Sequence, residues 1–384
     1  MQPAIVLSSH TMGLGLIRAL GQKGVPSVVF YHEKRDMGYV SKYVQERIYV
    51  PHPEKNQEEF IAALLDHATR FQGCPMFPTS DAALSAVSRH KDVLSKHYLV
   101  ACTEWNITEQ FLDKKLTYAL ADSVGVPAPK TLIPKSVEDA KQFAEQIDFP
   151  CLVKPCQSHL YYAVFKQKMV RVETLDQLIK SYQEAAEAGL DVMLQELIPG
   201  GDECGVNYNA YFWDGEPLAE FTGQKVRNAP PTFGSPRVVM SERVPEVIEP
   251  GRKILQAMGF YGYACTEFKK DPRDGVYKLM EVNGRHNLST LLAVKCGLNF
   301  PWIHYQHLVC GEKPQPSEFR TGVYWIDLIR DVGYSVKSFR QERYSPLQYV
   351  KPYFKPHVFA ILDWRDPKPF IKRCSDSVKS AFGK

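Results

Sequence analysis

The stretch GYACTEFKKDPRDGVYKLMEVN at 262–283 constrains the fold of this chain more than any other. Two runs that read as β-strands flank DPRDG, whose Asp, Pro and Gly favour a tight reversal, so an antiparallel hairpin is predicted. A turn centred near Asp274 sets Glu267 on the first strand opposite Glu281 on the second, because the two positions are symmetric about it. Side chains alternate along a strand, so Asn283 and Arg285 share the face of Glu281. Two carboxylates directly across a sheet repel each other, and a chain that keeps them calls for a cation between them. Glu267, Glu281 and Asn283 offer oxygen donors with no His or Cys nearby, a set that suits magnesium, or manganese, better than zinc. Magnesium keeps part of its shell for water and phosphate oxygens, so a site this sparse makes chemical sense beside a nucleotide. Arg285 has two parallel donors with which to hold a phosphoryl or carboxylate oxygen. The other reading of these residues is a solvated strand face with salt bridges to Lys269, Lys278 and Arg285.

The amino-terminal stretch has a different period. AIVLSS at 4–9 reads as a buried strand, Leu14, Ile17 and Leu20 recur at helical spacing, and PSVVFY at 26–31 starts a second strand. This βαβ opening predicts an α/β domain. Gly13 and Gly15 sit at the strand-to-helix turn, where a dinucleotide fold places GxGxxG, but the third position is Arg18. The two glycines are therefore read as permitting a tight turn and close helix packing, not as an NAD site. CPMFPTSDAALSAVSRH at 74–90 repeats the strand–turn–helix pattern with Asp81 near the helix start. Asp81 and the Ser8-Ser9-His10 loop both fall at the carboxyl ends of predicted strands, where open α/β sheets bind ligands.

A helical pattern through 108–125 stops at VPAPKTLIP, whose prolines force an extended connection. A boundary is placed near residue 105, giving domains at 1–105 and 106–315 and a carboxy-terminal extension at 316–384 packed on the core. FPCLVKP at 149–155 puts Lys154 inside an apolar strand, which is costly unless an anion meets it or the strand is an edge in solvent. The end of the chain, FIKRCSDSVKSAFGK, is basic and is read as solvated.

Composition narrows the function class. The 47 basic and 43 acidic residues are too balanced and too evenly spread to imply nucleic acid or a membrane surface. Nine cysteines without a CxxC pair fit a reducing cytoplasm. MQPAIVLSSH has neither a basic start nor a long apolar run, so no targeting segment is expected, and no window is apolar enough for a membrane span. Oligomeric state is left open, a homo-oligomer included.

Lys114, Lys154, QELIPGGDE at 195–203, Glu267 and the EVN of 281–283 occur in an order and spacing that resembles the ATP-grasp superfamily. The likeness runs from residue 1 to about 315. FTGQKVRNAPPTFGS and EFKKDPRDGVYKLMEVNGR make it most similar to the carboxylate–amine ligases of that superfamily. The resemblance implies a Rossmann-like pre-ATP-grasp domain, then an ATP-grasp domain whose two α+β subdomains clamp ATP. It implies that Lys114 and Lys154 contact the nucleotide phosphates, that Glu196 with the backbone of Leu197 and Ile198 reads the adenine edge, and that Glu203 accepts from ribose hydroxyls. Lys225 and Arg227 would add anion contacts near the transferred phosphate, beside the metal ligands Glu267, Glu281 and Asn283 and the catalytic Arg285. The activity implied is ATP-dependent joining of a small-molecule carboxylate to an amine through an acyl phosphate, with ADP and phosphate released. A kinase or carboxylase-like phosphotransferase on the same fold, or a nucleotide-binding protein without catalysis, are the alternatives. One departure stands out: the loop after Lys154, KPCQSHLYYAVFKQK, has no glycine where many members of the family carry a glycine-rich flap, and Ser158 and His159 could donate hydrogen bonds in its place.

Overall fold

The run Ala4–Leu7 (β1) has no polar side chain and is wholly buried. It pairs in parallel with β2 (Ser27–Tyr31) on one side and β4 (Pro75–Pro78) on the other. With β3 (Val44–Tyr49) and β5 (Leu99–Val100) they form a five-stranded sheet in the order β3-β2-β1-β4-β5. The structure, a computed structural model, describes residues 1–156, 161, 164–167, 169–231, 234–315, 318–338 and 345–381. Because the chain passes from β1 to β2 in one direction and β4 lies in the other, the ends of β1 and β4 bound a topological switch point. Ser8–His10 and Thr79–Asp81 diverge there. Ser8 takes a positive φ of 82°, and Thr79 Oγ1 donates to the carbonyls of Leu7 and Ser8 at 2.8 and 3.0 Å. A Cβ on Gly13 would lie 2.4 Å from the Ser8 carbonyl oxygen, and one on Gly15 3.7 Å from Thr290. Gly13 therefore serves close approach, whereas a Cβ at Gly15 would make only an ordinary contact.

A four-stranded antiparallel sheet follows, built from β6 (Thr131–Leu132), β7 (Cys151–Pro155), β8 (Val170–Val172) and β9 (Val192–Glu196) in the order β6-β9-β7-β8. The helices Val137–Ala144 and Leu175–Glu187 cover one face, packing Ala140, Phe143, Leu178 and Ala185 against Cys151, Val153, Val192 and Leu194. Strand alternation therefore turns Lys154 and Gln195 to the opposite face.

The third sheet has seven strands in the order β14-β13-β10-β11-β12-β15-β16. These are β10 (Gly205–Trp213), β11 (Glu216–Ala229), β12 (Ser235–Ser241), β13 (Gly262–Lys270), β14 (Tyr277–Asn283), β15 (Tyr324–Ile326) and β16 (His357–Phe359). The carboxy-terminal stretch is thus more than an extension packed on the core: it supplies two strands of that core, with β15 pairing to β12 and β16 to β15. It also reaches back to the first domain. Asp366, 1% exposed, accepts from Arg18 Nε at 3.0 Å, from the Ser41 hydroxyl at 2.7 Å and from the Lys42 amide at 2.9 Å. Among the described residues, no helix is long and apolar enough to cross a membrane.

Candidate active site

The hairpin forms where the turn residues place it, and its register makes Glu267 the direct partner of Glu281 and Cys265 that of Asn283. On the other side of β13, Asn207 of β10 pairs with Glu267. The ladder slips after Glu267, so that Phe268 pairs with Leu279 and Met280 becomes an extra residue. That bulge brings consecutive residues, Met280 and Glu281, to the wall of one cleft of about 500 Å³. Lys114, Lys154, Lys225, Asn207, Glu267, Asn283 and Arg285 line the same cleft. Gly284 lets the strand leave past Phe111, because a Cβ there would sit 2.4 Å from the phenyl ring.

The charges in the cleft answer one another. Lys225 donates to Glu267 in a close ion pair, and Lys114 lies 3.6 Å from Glu281. Burial works against the Glu267 carboxylate, but Lys225 outweighs it and holds the group below the usual carboxylate range. Lys114 opens the helix Lys114–Ser123, whose N-cap is Asp113. A cation at a helix amino terminus faces the unfavourable end of the macrodipole, so helix stability does not account for Lys114, whereas Glu281 does. Lys154 Nζ donates to Gln195 Oε1 at 2.5 Å. Burial, with the positive charge of Lys114 next, lowers its pKa to about 8. An uncompensated, half-desolvated lysine of this kind favours an incoming anion.

Among the described residues no three His, Cys, Asp or Glu side chains gather, so a cation here would rest on two carboxylates and amide oxygens. The chemistry fits magnesium. The donors are hard oxygens, and Asn207 Oδ1, buried in the cleft beside Glu267, has no hydrogen-bond partner among the described residues. Asn207 went unread in the sequence. Its signal was a pair of amides at alternate positions in the otherwise apolar strand GVNYNAYFW; Asn209 is accounted for, since it accepts from Tyr263 and Asn287 at 2.8 and 2.7 Å.

Two expectations are corrected. Arg227 does not face the cleft: its guanidinium is fully buried and grips Asp331 through Nε at 2.9 Å and Nη2 at 2.7 Å. The ladder between β11 and β12 shifts on both sides of Arg227, so strand alternation cannot be carried from Lys225 to Arg227. Glu196 does not present a free carboxylate to an adenine. One oxygen is taken by Arg273 and by Lys278 at 3.4 Å, the other by the Lys130 amide at 3.1 Å. Ile198 is buried and its carbonyl accepts from Lys269 at 2.9 Å, while Leu197 is half-buried beside it. Glu203 is exposed at the rim, folded over Gly201, where a Cβ would meet its carboxylate at 2.5 Å. Ser158 and His159 lie outside the described residues.

No family model matches the chain. It is similar to a D-aspartate ligase of Enterococcus faecium, 28% identical over 236 residues that cover 57% of this chain and 55% of that protein. It is also similar to a D-alanine–D-alanine ligase of Ectopseudomonas mendocina, 25% identical over 208 residues that cover 49% of this chain and 62% of that one. The matched part thus spans less than two thirds of the length of either relative. Among solved structures, an L-amino acid ligase from Bacillus licheniformis superposes with a TM-score of 0.63 at 16% identity, covering 84% of this chain and 78% of that one. The likeness establishes a common fold.

Proposed function

We propose that this chain is a protein of the ATP-grasp superfamily and an ATP-dependent ligase that activates a small-molecule carboxylate as an acyl phosphate and joins it to an amine. The observation that carries the reading is the facing pair Glu267 and Glu281, ringed by Lys114, Lys154, Lys225 and Arg285 in one cleft. Phosphoryl transfer asks a protein for positioning and charge neutralisation more than for a covalent nucleophile, and this cleft is made of those groups. The ligase names carried by the similar proteins support the same class.

Within this reading Glu267, Glu281 and Asn283, with Asn207 as a fourth oxygen, hold magnesium, which when bound neutralises phosphate charge. Lys114 and Lys154 hold nucleotide phosphates as point charges. Lys225, paired with Glu267, stands beside the transferred group, and Arg285 binds its oxygens in a two-pronged contact. Phe268, Met280 and Met169 give the cleft an apolar wall suited to the base, whose edge the backbone of Leu197 and Ile198 would read while Glu203 accepts from the ribose. Residues 1–105 would then be the pre-ATP-grasp domain, 106–315 the nucleotide clamp, and 316–384 its carboxy-terminal support. The nine cysteines, all free thiols, are in keeping with work in the cytoplasm.

The test follows one oxygen atom. Amino acids and small acids are first screened for stimulated ADP release, and the active carboxylate is then labelled with heavy oxygen. Attack of a carboxylate oxygen on the terminal phosphorus, followed by displacement at the acyl carbon, leaves that oxygen in inorganic phosphate. Labelled phosphate in a single turnover is expected. Unlabelled phosphate, a stable phosphorylated product or AMP would overturn the acyl-phosphate route.

A further inference from the structure

Arg285 leaves β14 and reaches across to the first domain. Its Nε and Nη2 meet the two carboxylate oxygens of Asp81 at 2.5 and 2.9 Å, and its Nη1 lies 3.0 Å from Met12 Sδ. The two ends of this pair differ. The Arg285 side chain is 12% exposed and that of Asp81 is 56% exposed. Burial disfavours the Arg285 cation, and the contact with Asp81 more than offsets it. Asp81 itself is not tied down by the helix it opens: the helix Asp81–Arg89 is capped by Ser80, whose side chain accepts from the Ala83 amide at 3.2 Å. Nor does it complete the switch-point loops, where Thr79 binds Leu7 and Ser8, and the Ser9 amide and hydroxyl donate to Asp36 at 2.8 and 3.3 Å. Its carboxylate occupies the fork with which Arg285 would grip a ligand oxyanion.

We propose that Asp81 is an internal competitor, a carboxylate that holds Arg285 and sets an affinity threshold until a more highly charged oxyanion displaces it. The inference rests on the reading of the cleft as a phosphoryl-transfer site. A free monocarboxylate offers Arg285 the same two oxygens and the same charge as Asp81, but must be brought from solution, whereas Asp81 is tethered at high effective concentration. Exchange of one for the other gains nothing. A phosphoryl group carries more charge and lies within the field of Lys114 and Lys225 as well, so it wins the fork. The released Asp81 carboxylate, already half in water, loses little on leaving. Arg285 thereby passes over the unactivated acid and engages its phosphorylated form.

Two simple anions test this: inorganic phosphate, measured by calorimetry, and acetate, measured by competition against it. The wild-type chain is expected to bind phosphate and to discriminate strongly against acetate. Asp81→Asn, which cannot supply the anion, should bind both anions more tightly by about the same factor, roughly tenfold, as when a competing closed state populated about nine times in ten is removed. Unchanged or weaker phosphate binding in the variant overturns the role of Asp81. Arg285→Gln separates the two levels. If it binds phosphate as tightly as wild type, the anion site is not at Arg285 and the reading of the cleft falls with it; if it loses phosphate while Asp81→Asn keeps the wild-type phosphate affinity, the cleft reading stands and the role of Asp81 alone is overturned.

Discussion

Two ionic clusters in this protein use the same side chains to opposite ends. On the helix Leu328–Ser338, Asp331 has 0% side-chain exposure and binds Arg227 through both oxygens, Arg237 Nε at 3.1 Å and, from the helix Pro346–Phe354, the Tyr353 hydroxyl at 2.6 Å. In the cleft, Glu267, Glu281 and Asp81 meet Lys225, Lys114 and Arg285, and their side chains remain 23%, 41% and 56% exposed. What differs is whether anything can take a partner's place. A sealed pair has no competitor and can act only as structure, while a pair open to the cleft can hand its cation to a phosphate or its carboxylate to a metal.

The comparison breaks most visibly at Asp331. Asp331→Ala leaves Arg227 and Arg237 buried without their common carboxylate, and a stability loss of about 3–5 kcal/mol is expected in urea denaturation. A loss below about 1 kcal/mol, the range of an exposed ion pair, would place this cluster in the same class as the cleft. Glu281→Gln should do the reverse. It preserves volume and removes one charge of the facing pair, so magnesium-dependent nucleotide turnover is expected to fall on the order of 10²-fold while the urea midpoint stays put. Unfolding in place of inactivity would make Glu281 structural.

Lys154→Met sharpens the contrast within the cleft. Loss of a charge-assisted contact should weaken ATP binding by about 1.5–3 kcal/mol, measured by calorimetry, and unchanged affinity would remove Lys154 from the nucleotide site. The same lysine predicts a smaller effect of pH. Its folded pKa of about 8 lies below the 10.5 of the unfolded chain, so between those values the unfolded state binds more protons. The stability of the nucleotide-free protein therefore gains from Lys154 as pH rises through that window, by at most about 1.4 kcal/mol per unit, and this gain is absent below about pH 8. Subtracting the pH–stability profile of Lys154→Met isolates the contribution. A difference profile flat from pH 8 to 10 would show that the lysine keeps its ordinary affinity for a proton.

The parts of the site that were legible beforehand are those written in short-range pattern. The turn DPRDG and the period of two fix which residues of β13 and β14 face each other, and the apolar run at 4–7 with its helical sequel fixes the βαβ opening. Arg227 and Glu196 were misread because their partners are distant in the chain. Asp331 lies 104 residues from Arg227, and Arg273 lies 77 from Glu196. Charge alone does not say whether a side chain faces a ligand or another residue. The bulge at Met280 and the three-residue strands β15 and β16 were hidden for a different reason. One extra residue shifts the alternation it would be read from, and three residues are too few to show a period.

By itself the sequence determined the local facts: a hairpin whose strands oppose two glutamates, a lysine inside an apolar strand, and a glycine, Gly13, where a helix must approach a strand end. These follow from covalent geometry and side-chain alternation, which act over a few residues. Only the tertiary structure decided which charges meet. It set Lys225 on Glu267, Lys114 near Glu281 and Arg285 on Asp81 at the mouth of the first sheet, and it sealed Arg227 against Asp331. The physical reason is that a charge is satisfied by whatever lies within a few ångströms in space, and packing three sheets together brings there residues that the chain keeps far apart.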